Sequence, residues 1–212
     1  MNPSILPDLN YYEPGVTANV TGNPGNPNFQ TFCVEGSEYI YQNRTYDVTL
    51  QQSSLYGGLL GPKALTVGAA LLYYDFAKGL FTGAGGVPSY NYLNTAGGRT
   101  GDAGKLQDAI WWLMGGQESQ TYNSVNTYEH WINGLLGVHA FDANSSLAHP
   151  IDVSVLSLWE HGGAYTTAGA DQDQLILTGN QGYSPVPDGG TTVALLGLAM
   201  SGLGFFSRKL RK

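Results

Sequence analysis

Alternating apolar and polar positions predict strands on either side of the middle of this chain. Phe29–Ile40 and Thr45–Gln51 alternate in the way that half-buried strands do, and Asp152–Trp159 and Asp173–Thr178 carry similar strand-like runs. Residues 1–28 are rich in Pro, Asn and Gly and are predicted to form a loop or a ragged first strand. The sequence therefore places strands early and late.

Three predicted helices separate these strands. Apolar residues recur at helical spacing in Val67–Lys78, and Asp102–Met114 and Thr127–Leu136 follow, with Asp102 as the expected N-cap of the second helix. Residues 81–99 are predicted to form a loop rich in Gly, Asn and Tyr. The order β-β-α-α-α-β-β favours an α+β fold, a small β-sandwich or barrel with helices inserted between its halves.

The C-terminus changes character abruptly. Thr191–Ser207 contains no charged residue and is mostly apolar, and residues 208–212 read RKLRK. An apolar run of about 17 residues is the lower limit for crossing a bilayer, and a basic flank stays on the cytoplasmic side. Residues 191–207 are therefore predicted to be a transmembrane helix, residues 208–212 a basic cytoplasmic tail, and the body is expected outside.

A short motif precedes this apolar run. Val186-Pro187-Asp188-Gly189-Gly190 is expected to be extended and accessible, because Pro and Gly disfavour a helix there. The motif, the apolar run and the basic terminus, in this order, resemble the PEP-CTERM sorting signal in a VPDGG variant. The resemblance implies export, membrane retention and processing by an exosortase-type enzyme. It also implies a bacterium with an outer membrane and exopolysaccharide production. We expect a body over 29–180 and a linker over 181–190.

The N-terminus does not match this export signal. The segment MNPSILPDLNYYEPG has no basic or apolar region of the kind a signal peptide needs, and Pro3 and Pro7 interrupt it. We therefore expect an in-frame signal peptide upstream of Met1, or its loss.

Composition and charge limit the partners of the body. The formal charge is −7, and four of the nine basic residues fall in the last five positions. The remaining acidic body argues against nucleic-acid binding, which needs clustered Lys and Arg. A single cysteine excludes an intramolecular disulfide and metal sites built from two or four cysteines. We expect neither a cofactor nor a bound metal.

Two residues stand out as candidate chemistry. Cys33 lies in a strand-like run, and Gln107 lies in the second predicted helix at the edge of its apolar face. A buried Gln side chain needs hydrogen-bond partners, because each unmet group costs about 1–3 kcal/mol. Gln107 is therefore expected to have a partner.

The motifs around these two residues resemble the bacterial thioester domains of surface adhesins. Phe32-Cys33-Val34-Glu35 is similar to the Cys motif, and Leu106-Gln107-Asp108-Ala109-Ile110-Trp111 is similar to the Gln motif. The run DQDQLIL over 171–177 is also similar to the end of this family. The resemblance implies that Cys33 and Gln107 condense into an internal thioester, which captures an amine- or hydroxyl-bearing partner in adhesion or biofilm attachment. Such capture is a single-turnover reaction, so we do not expect an enzyme.

Other readings remain open. The body could instead be a non-catalytic structural or carbohydrate-binding module of the matrix, with Cys33 a small buried residue. The tryptophans would then either belong to the core or stack on sugars. A cysteine hydrolase would need a nearby histidine, and catalytic cysteines usually lie at helix N-termini rather than in strands. The histidines considered are His130, His139, His149 and His161. Asp171 and Asp173 lack the further ligands of a calcium loop, so a solvated acidic turn is expected there.

Overall fold

The structure is a computed structural model that describes residues 4–8, 16–20, 28–36, 40, 46–55, 62–92, 98–115, 121–160, 162 and 170–178. The sorting motif over 186–190, the predicted transmembrane helix over 191–207 and the basic tail over 208–212 lie outside the described residues. Within the described part, no helix combines the length and apolar character that crossing a membrane requires.

In the described part of the chain, six strands form one antiparallel sheet. In chain order they are β1 (Ser4–Asp8), β2 (Val16–Val20), β3 (Asn28–Thr31), β4 (Tyr46–Gln51), β5 (Val153–Glu160) and β6 (Ala170–Leu177). Their order across the sheet is β3-β2-β1-β4-β5-β6. Helices α1 (Val67–Ala77), α2 (Gly98–Met114) and α3 (Thr127–Leu136) lie between β4 and β5 in the chain. The mixed fold with inserted helices is confirmed.

Within the described residues the sheet is not closed, so the predicted barrel is wrong, and the strands belong to one sheet instead of the two of a sandwich. Its two ends approach each other at one isolated antiparallel bridge, between Cys33 and Gln174. The flanking backbone bonds run from Val34 N to the Asp173 oxygen at 2.9 Å and from Leu175 N to the Phe32 oxygen at 3.1 Å. The chain leaving β3 thus pairs with β6 over a few residues, too few to continue the ladder into a closed barrel.

Several boundaries differ from the predictions. The strand predicted over Phe29–Ile40 ends at Thr31, and β1 and β2 lie in the range predicted as a loop or a ragged strand. Helix α2 begins at Gly98, so Asp102 is inside the helix instead of capping it. The Asp102 carboxylate accepts a hydrogen bond from Asn91 N at 2.9 Å, which fixes the preceding loop to the helix.

The main core lies between the helices and one face of the sheet. Its large buried side chains come from all three helices, from β5 and β6, and from the segment after β3. They include Phe32, Leu72, Phe76, Leu106, Ile110, Leu113, Tyr128 and Val155. A smaller apolar cluster covers the other face, formed by Tyr46, Val48, Leu156, Leu158 and Ile176. Burial on both faces explains why β5 reads as an almost continuous apolar run.

Helix termini fix the helices to this core. Thr66 caps α1, because its side chain accepts from Ala69 N at 3.3 Å. Asn126 caps α3 by accepting from Tyr128 N at 3.0 Å, and its side-chain amide donates to the Lys105 oxygen in α2 at 2.7 Å. One side chain therefore both starts α3 and holds it against α2.

Candidate functional site

Cys33 lies where the two ends of the sheet approach. In its bridge with Gln174, the hydrogen bonds to β6 are made by the residues on either side, Phe32 and Val34. In this type of antiparallel pair, the N–H and C=O of the bridged residue point away from the partner strand. The backbone groups of Cys33 therefore face away from β6 and need other partners.

The Gln107 side chain supplies both partners. Cys33 N donates to Gln107 Oε1 at 2.9 Å, and Gln107 Nε2 donates to the Cys33 oxygen at 2.8 Å. The carboxamide thus pairs with the Cys33 backbone as the peptide group of a neighbouring strand would. The expected partner of buried Gln107 is the main chain of Cys33, and the two predicted site residues are brought together.

The Cys33 sulfur contacts two other glutamines. Sγ donates to Gln172 Oε1 at 2.9 Å, and Gln174 Nε2 donates to Sγ at 3.4 Å. Both glutamines lie on β6, two residues apart, and are therefore on one face of the strand. Among the described hydrogen bonds, none joins the sulfur to Gln107. The pairing of Cys33 with Gln107 as a thioester stays a prediction, and the sulfur faces Gln172 and Gln174.

The Gln172 carboxamide is held at both ends. Its Oε1 accepts from the sulfur, and its Nε2 donates to the backbone oxygen of Glu35 at 2.6 Å. The buried Glu35 carboxylate in turn accepts from Asp173 N at 3.1 Å. These bonds fix the segment that follows Cys33 against β6, so the sulfur and the Gln172 carboxamide have a defined relative position.

The environment keeps the sulfur protonated at neutral pH. Burial raises the pKa of Cys33 to about 12, the nearby Glu35 charge raises this pKa further, and the hydrogen bond from Gln174 opposes the rise. The group facing Gln172 is therefore a neutral thiol. Any attack on a carboxamide must transfer the thiol proton in the same step or just before it.

Among the described residues, no histidine is hydrogen-bonded to the Cys33 sulfur. His130 contacts the Tyr122 hydroxyl at 3.3 Å, and His139 Nδ1 lies 2.8 Å from the Asp142 carboxylate. His149 is exposed, and His161 lies outside the described residues. No described hydrogen bond links a histidine to Cys33, so the geometry gives the cysteine hydrolase reading no support.

The acidic pair near the C-terminal end of the body is not a solvated turn. Asp171 and Asp173 both lie on β6 and are buried, and the Asp173 carboxylate accepts from Leu55 N at 2.7 Å. This prediction is wrong because the strand begins at Ala170, earlier than expected. In the part of the chain that the structure describes, no cluster of three or more His, Cys, Asp or Glu side chains has a metal-binding arrangement.

Sequence reasoning missed three residues of the site: Glu35, Gln172 and Gln174. A signal was present, because the run DQDQLIL over 171–177 places Gln172 and Gln174 on one face by the period of two of a strand. Two buried amides on the same face as a single cysteine are unusual enough to mark a polar site. Only the pairing of β6 with the segment after β3 assigns them to Cys33.

Comparison with known families agrees with the sorting signal predicted from the sequence. Residues 185–210 match the VPDSG-CTERM motif, in which this chain has Gly189 at the serine position. The structure is similar to the N-terminal thioester domain of the fibronectin-binding protein SfbI from Streptococcus pyogenes, with TM-score 0.43 and 12% identity over 82% of this chain and 92% of that one.

It is also similar to the N-terminal thioester domain of a surface protein from Clostridium perfringens, with TM-score 0.38 and 11% identity over 82% of this chain and 97% of that one. No curated protein matches the sequence significantly. The chain thus carries a C-terminal sorting motif, which supports an exported or surface protein.

Proposed function

We propose that this chain is an exported surface protein whose body forms an internal thioester at Cys33 and captures a partner covalently. The observation that carries the proposal is the contact between the Cys33 sulfur and Gln172 Oε1 at 2.9 Å. The acyl carbon of Gln172 is one bond from that oxygen. The reacting atoms are therefore held together before any reaction, which is the main requirement for attack on an unreactive amide.

We assign the acyl group to Gln172 in preference to Gln107. The Gln107 carboxamide bonds the Cys33 backbone at both ends, and its conversion to a thioester would release Nε2 as ammonia and so remove the bond to the Cys33 backbone oxygen. Gln172 instead presents its oxygen to the sulfur, and its nitrogen is bound by the Glu35 carbonyl. In this assignment Gln107 is a positioning residue that holds the Cys33 backbone.

The condensation is balanced without a co-reactant. The Cys33 sulfur bonds to the Gln172 acyl carbon, the carbon–nitrogen bond breaks, and the thiol proton leaves with the nitrogen as ammonia. A partner amine then attacks the acyl carbon, forms an amide on Gln172 and returns the Cys33 thiol; a hydroxyl forms an ester in the same way. Each molecule reacts once, so the protein is a single-turnover adhesin and not an enzyme.

The C-terminal region provides retention at the membrane in this proposal. An exosortase-type enzyme recognises the motif over 186–190, the apolar run over 191–207 holds the chain in the membrane, and residues 208–212 stay cytoplasmic. The match of residues 185–210 to the VPDSG-CTERM motif supports this part. The captured partner then lies in the cell envelope or biofilm matrix of an exopolysaccharide-producing bacterium with an outer membrane.

Intact-mass spectrometry tests the thioester. The wild-type protein should weigh less than its sequence mass by one ammonia, and methylamine should add to one glutamine while exposing one titratable thiol. Cys33→Ala and Gln172→Ala should each abolish the mass deficit. Peptide mapping should place the methylamide on Gln172.

Two results would contradict the proposal in different ways. A full sequence mass with a freely reactive native thiol removes the covalent function altogether. A methylamide on Gln107 keeps the function but overturns the assignment to Gln172.

A carbohydrate-binding module is a second candidate. An open cleft of about 730 Å³ lies between the 83–89 loop and helices α2 and α3, and Trp131 lines it together with polar side chains that include Asp102, Lys105 and His130. Aromatic and hydrogen-bonding groups side by side suit a sugar. Titration with matrix oligosaccharides, followed by tryptophan fluorescence, should show saturable quenching that His130→Ala weakens; no change on titration rejects this candidate.

A further inference from the structure

We propose that the Gln174 side chain acts directly on the Cys33 sulfur during capture. Its Nε2–H stabilises the departing sulfur, and its Oε1 accepts a hydrogen bond from the incoming amine or hydroxyl. This inference rests on the proposed thioester and names a catalytic residue for its opening.

Gln174 is placed for the first role by the sheet. It is the bridge partner of Cys33, so both side chains lie on the same face, and its Nε2 donates to Sγ at 3.4 Å. The same nitrogen donates to the Gln172 backbone oxygen at 3.3 Å, which orients the amide toward the sulfur. Gln174 is 1% exposed, so water does not compete for these bonds.

The second role follows from an unused acceptor. Gln174 Oε1 is buried and has no hydrogen-bond partner among the described residues. Buried polar atoms are nearly always paired, and an exception in a chemical site points to a missing ligand group. A nucleophile that approaches the acyl carbon next to the sulfur brings an N–H or O–H, which is the donor that this oxygen lacks.

The opening step shows why a donor on the sulfur matters. The amine nitrogen bonds to the Gln172 acyl carbon, the carbon–sulfur bond breaks, and its electron pair goes to Cys33 Sγ. The proton lost by the amine ends on the sulfur, so atoms and charge balance. Burial raises the pKa of Cys33 to about 12, which makes negative charge on the sulfur unfavourable until that proton arrives. The Gln174 N–H is the described side-chain donor that offsets this cost.

The first test measures the sulfur without a thioester. In a Gln172→Ala background the thiol is free, and its rate of alkylation by iodoacetamide at pH 8 reports its thiolate fraction. Adding Gln174→Leu should slow native-state alkylation about fivefold, the effect of one neutral hydrogen bond. Ser157→Ala is the matched control, because Ser157 is a buried polar residue on β5 whose hydroxyl has no described partner. It should leave the rate unchanged.

The second test measures capture. In the otherwise unchanged protein, Gln174→Leu should slow methylamine incorporation at least fivefold while the mass deficit of one ammonia still forms. Gln174→Asn keeps the amide but withdraws it by one methylene, so it should also slow both alkylation and methylamine incorporation. This variant decides the question if Gln174→Leu does not fold.

The outcomes separate the two proposals. Alkylation and methylamine rates within twofold of their parents would overturn the role of Gln174, even if the thioester forms. Absence of the mass deficit in the wild-type protein would instead reject the thioester, and the alkylation comparison would still measure the effect of Gln174 on the sulfur.

Discussion

The Gln107 side chain makes the two backbone hydrogen bonds at Cys33 that a neighbouring strand would otherwise make. It bonds both backbone groups of Cys33, at 2.9 and 2.8 Å, on the side opposite β6. A helix residue therefore completes the hydrogen bonding at an edge that the sheet leaves open. This arrangement makes the site sensitive to Gln107 whether or not Gln107 takes part in bond formation.

Gln107→Ala should lower the free energy of unfolding by about 1–3 kcal/mol, because two backbone groups of Cys33 lose their partner. Chemical denaturation measures the loss. Lys105→Ala, an exposed change two residues earlier on α2, should stay within about 0.5 kcal/mol of the wild type. Equal effects of the two substitutions would contradict the role assigned to Gln107.

Asp75 should give the protein a pH-dependent stability. Burial raises the pKa of this carboxyl on α1 to about 6, above the ~3.9 of an exposed Asp. As pH rises, Asp75 therefore loses its proton at a lower pH in the unfolded chain than in the folded protein. The stability due to protonated Asp75 is complete below about pH 4 and is lost as pH rises through 6. Asp75→Asn removes this loss.

Denaturation of Asp75→Asn and wild type at pH 4, 5, 6 and 7 tests this sign. The variant should be the more stable protein at pH 7, and its advantage should shrink toward pH 4. A difference that stays constant over this range would show that the titration of Asp75 does not contribute.

Part of the site was readable from the sequence for a physical reason. A Gln at the edge of an apolar helix face must find a partner, and Gln107 has one. That the partner is Cys33 was implied by the family resemblance and not by this argument. The contact to the backbone was not predictable, since it depends on which way the bridge turns the Cys33 N–H and C=O. The same bridge brings Gln172 and Gln174 to the sulfur across most of the chain length, and no local pattern encodes that pairing.

Among the helices, prediction succeeded where local signals were strong. The predicted bounds of α3 are confirmed, because Asn126 supplies a clear cap just before the apolar spacing begins. Helix α2 starts earlier than expected because its first turn, Gly98 to Gly101, contains two glycines, which are poor helix formers and give no sequence signal. Tertiary contacts, such as the bond from Asn91 to Asp102, hold that turn instead.

The close packing of α1 predicts opposite effects of alanine at two helix glycines, Gly68 on α1 and Gly101 on α2. A Cβ at Gly68 would lie 2.8 Å from Leu113 Cδ2 and 2.9 Å from the Ala140 oxygen, whereas a Cβ at Gly101 would meet nothing within 4 Å. Gly68→Ala should therefore cost about 1–3 kcal/mol by overpacking, despite the better helix propensity of Ala. Gly101→Ala should gain up to about 1 kcal/mol.

Melting temperatures of the two single variants check this pair. They should move in opposite directions, with Gly68→Ala lower and Gly101→Ala higher than the wild type. A rise for both would mean that α1 can shift away from Ala140 without loss.

At the scale of the whole molecule, the chain consists of a folded body followed by a C-terminal sorting signal. Because residues 185–210 match a sorting motif, we expect removal of 186–212 to leave the melting temperature of the body unchanged while abolishing its retention in the membrane fraction. Calorimetry and cell fractionation of the truncated and full-length proteins measure the two effects. A large fall in melting temperature would show that the tail is part of the core.

The proposed capture on β6 would have a mechanical consequence. Gln172 lies on β6, the last strand of the described residues. Under our proposal, a partner joined there would be connected to the sorting motif through a short stretch of covalent backbone. Tension between partner and cell would load that stretch and would bypass α1, α2, α3 and the first five strands. The body could then unfold under shear without the tether breaking, whereas attachment at Gln107 would pass every pull through the helices and β5.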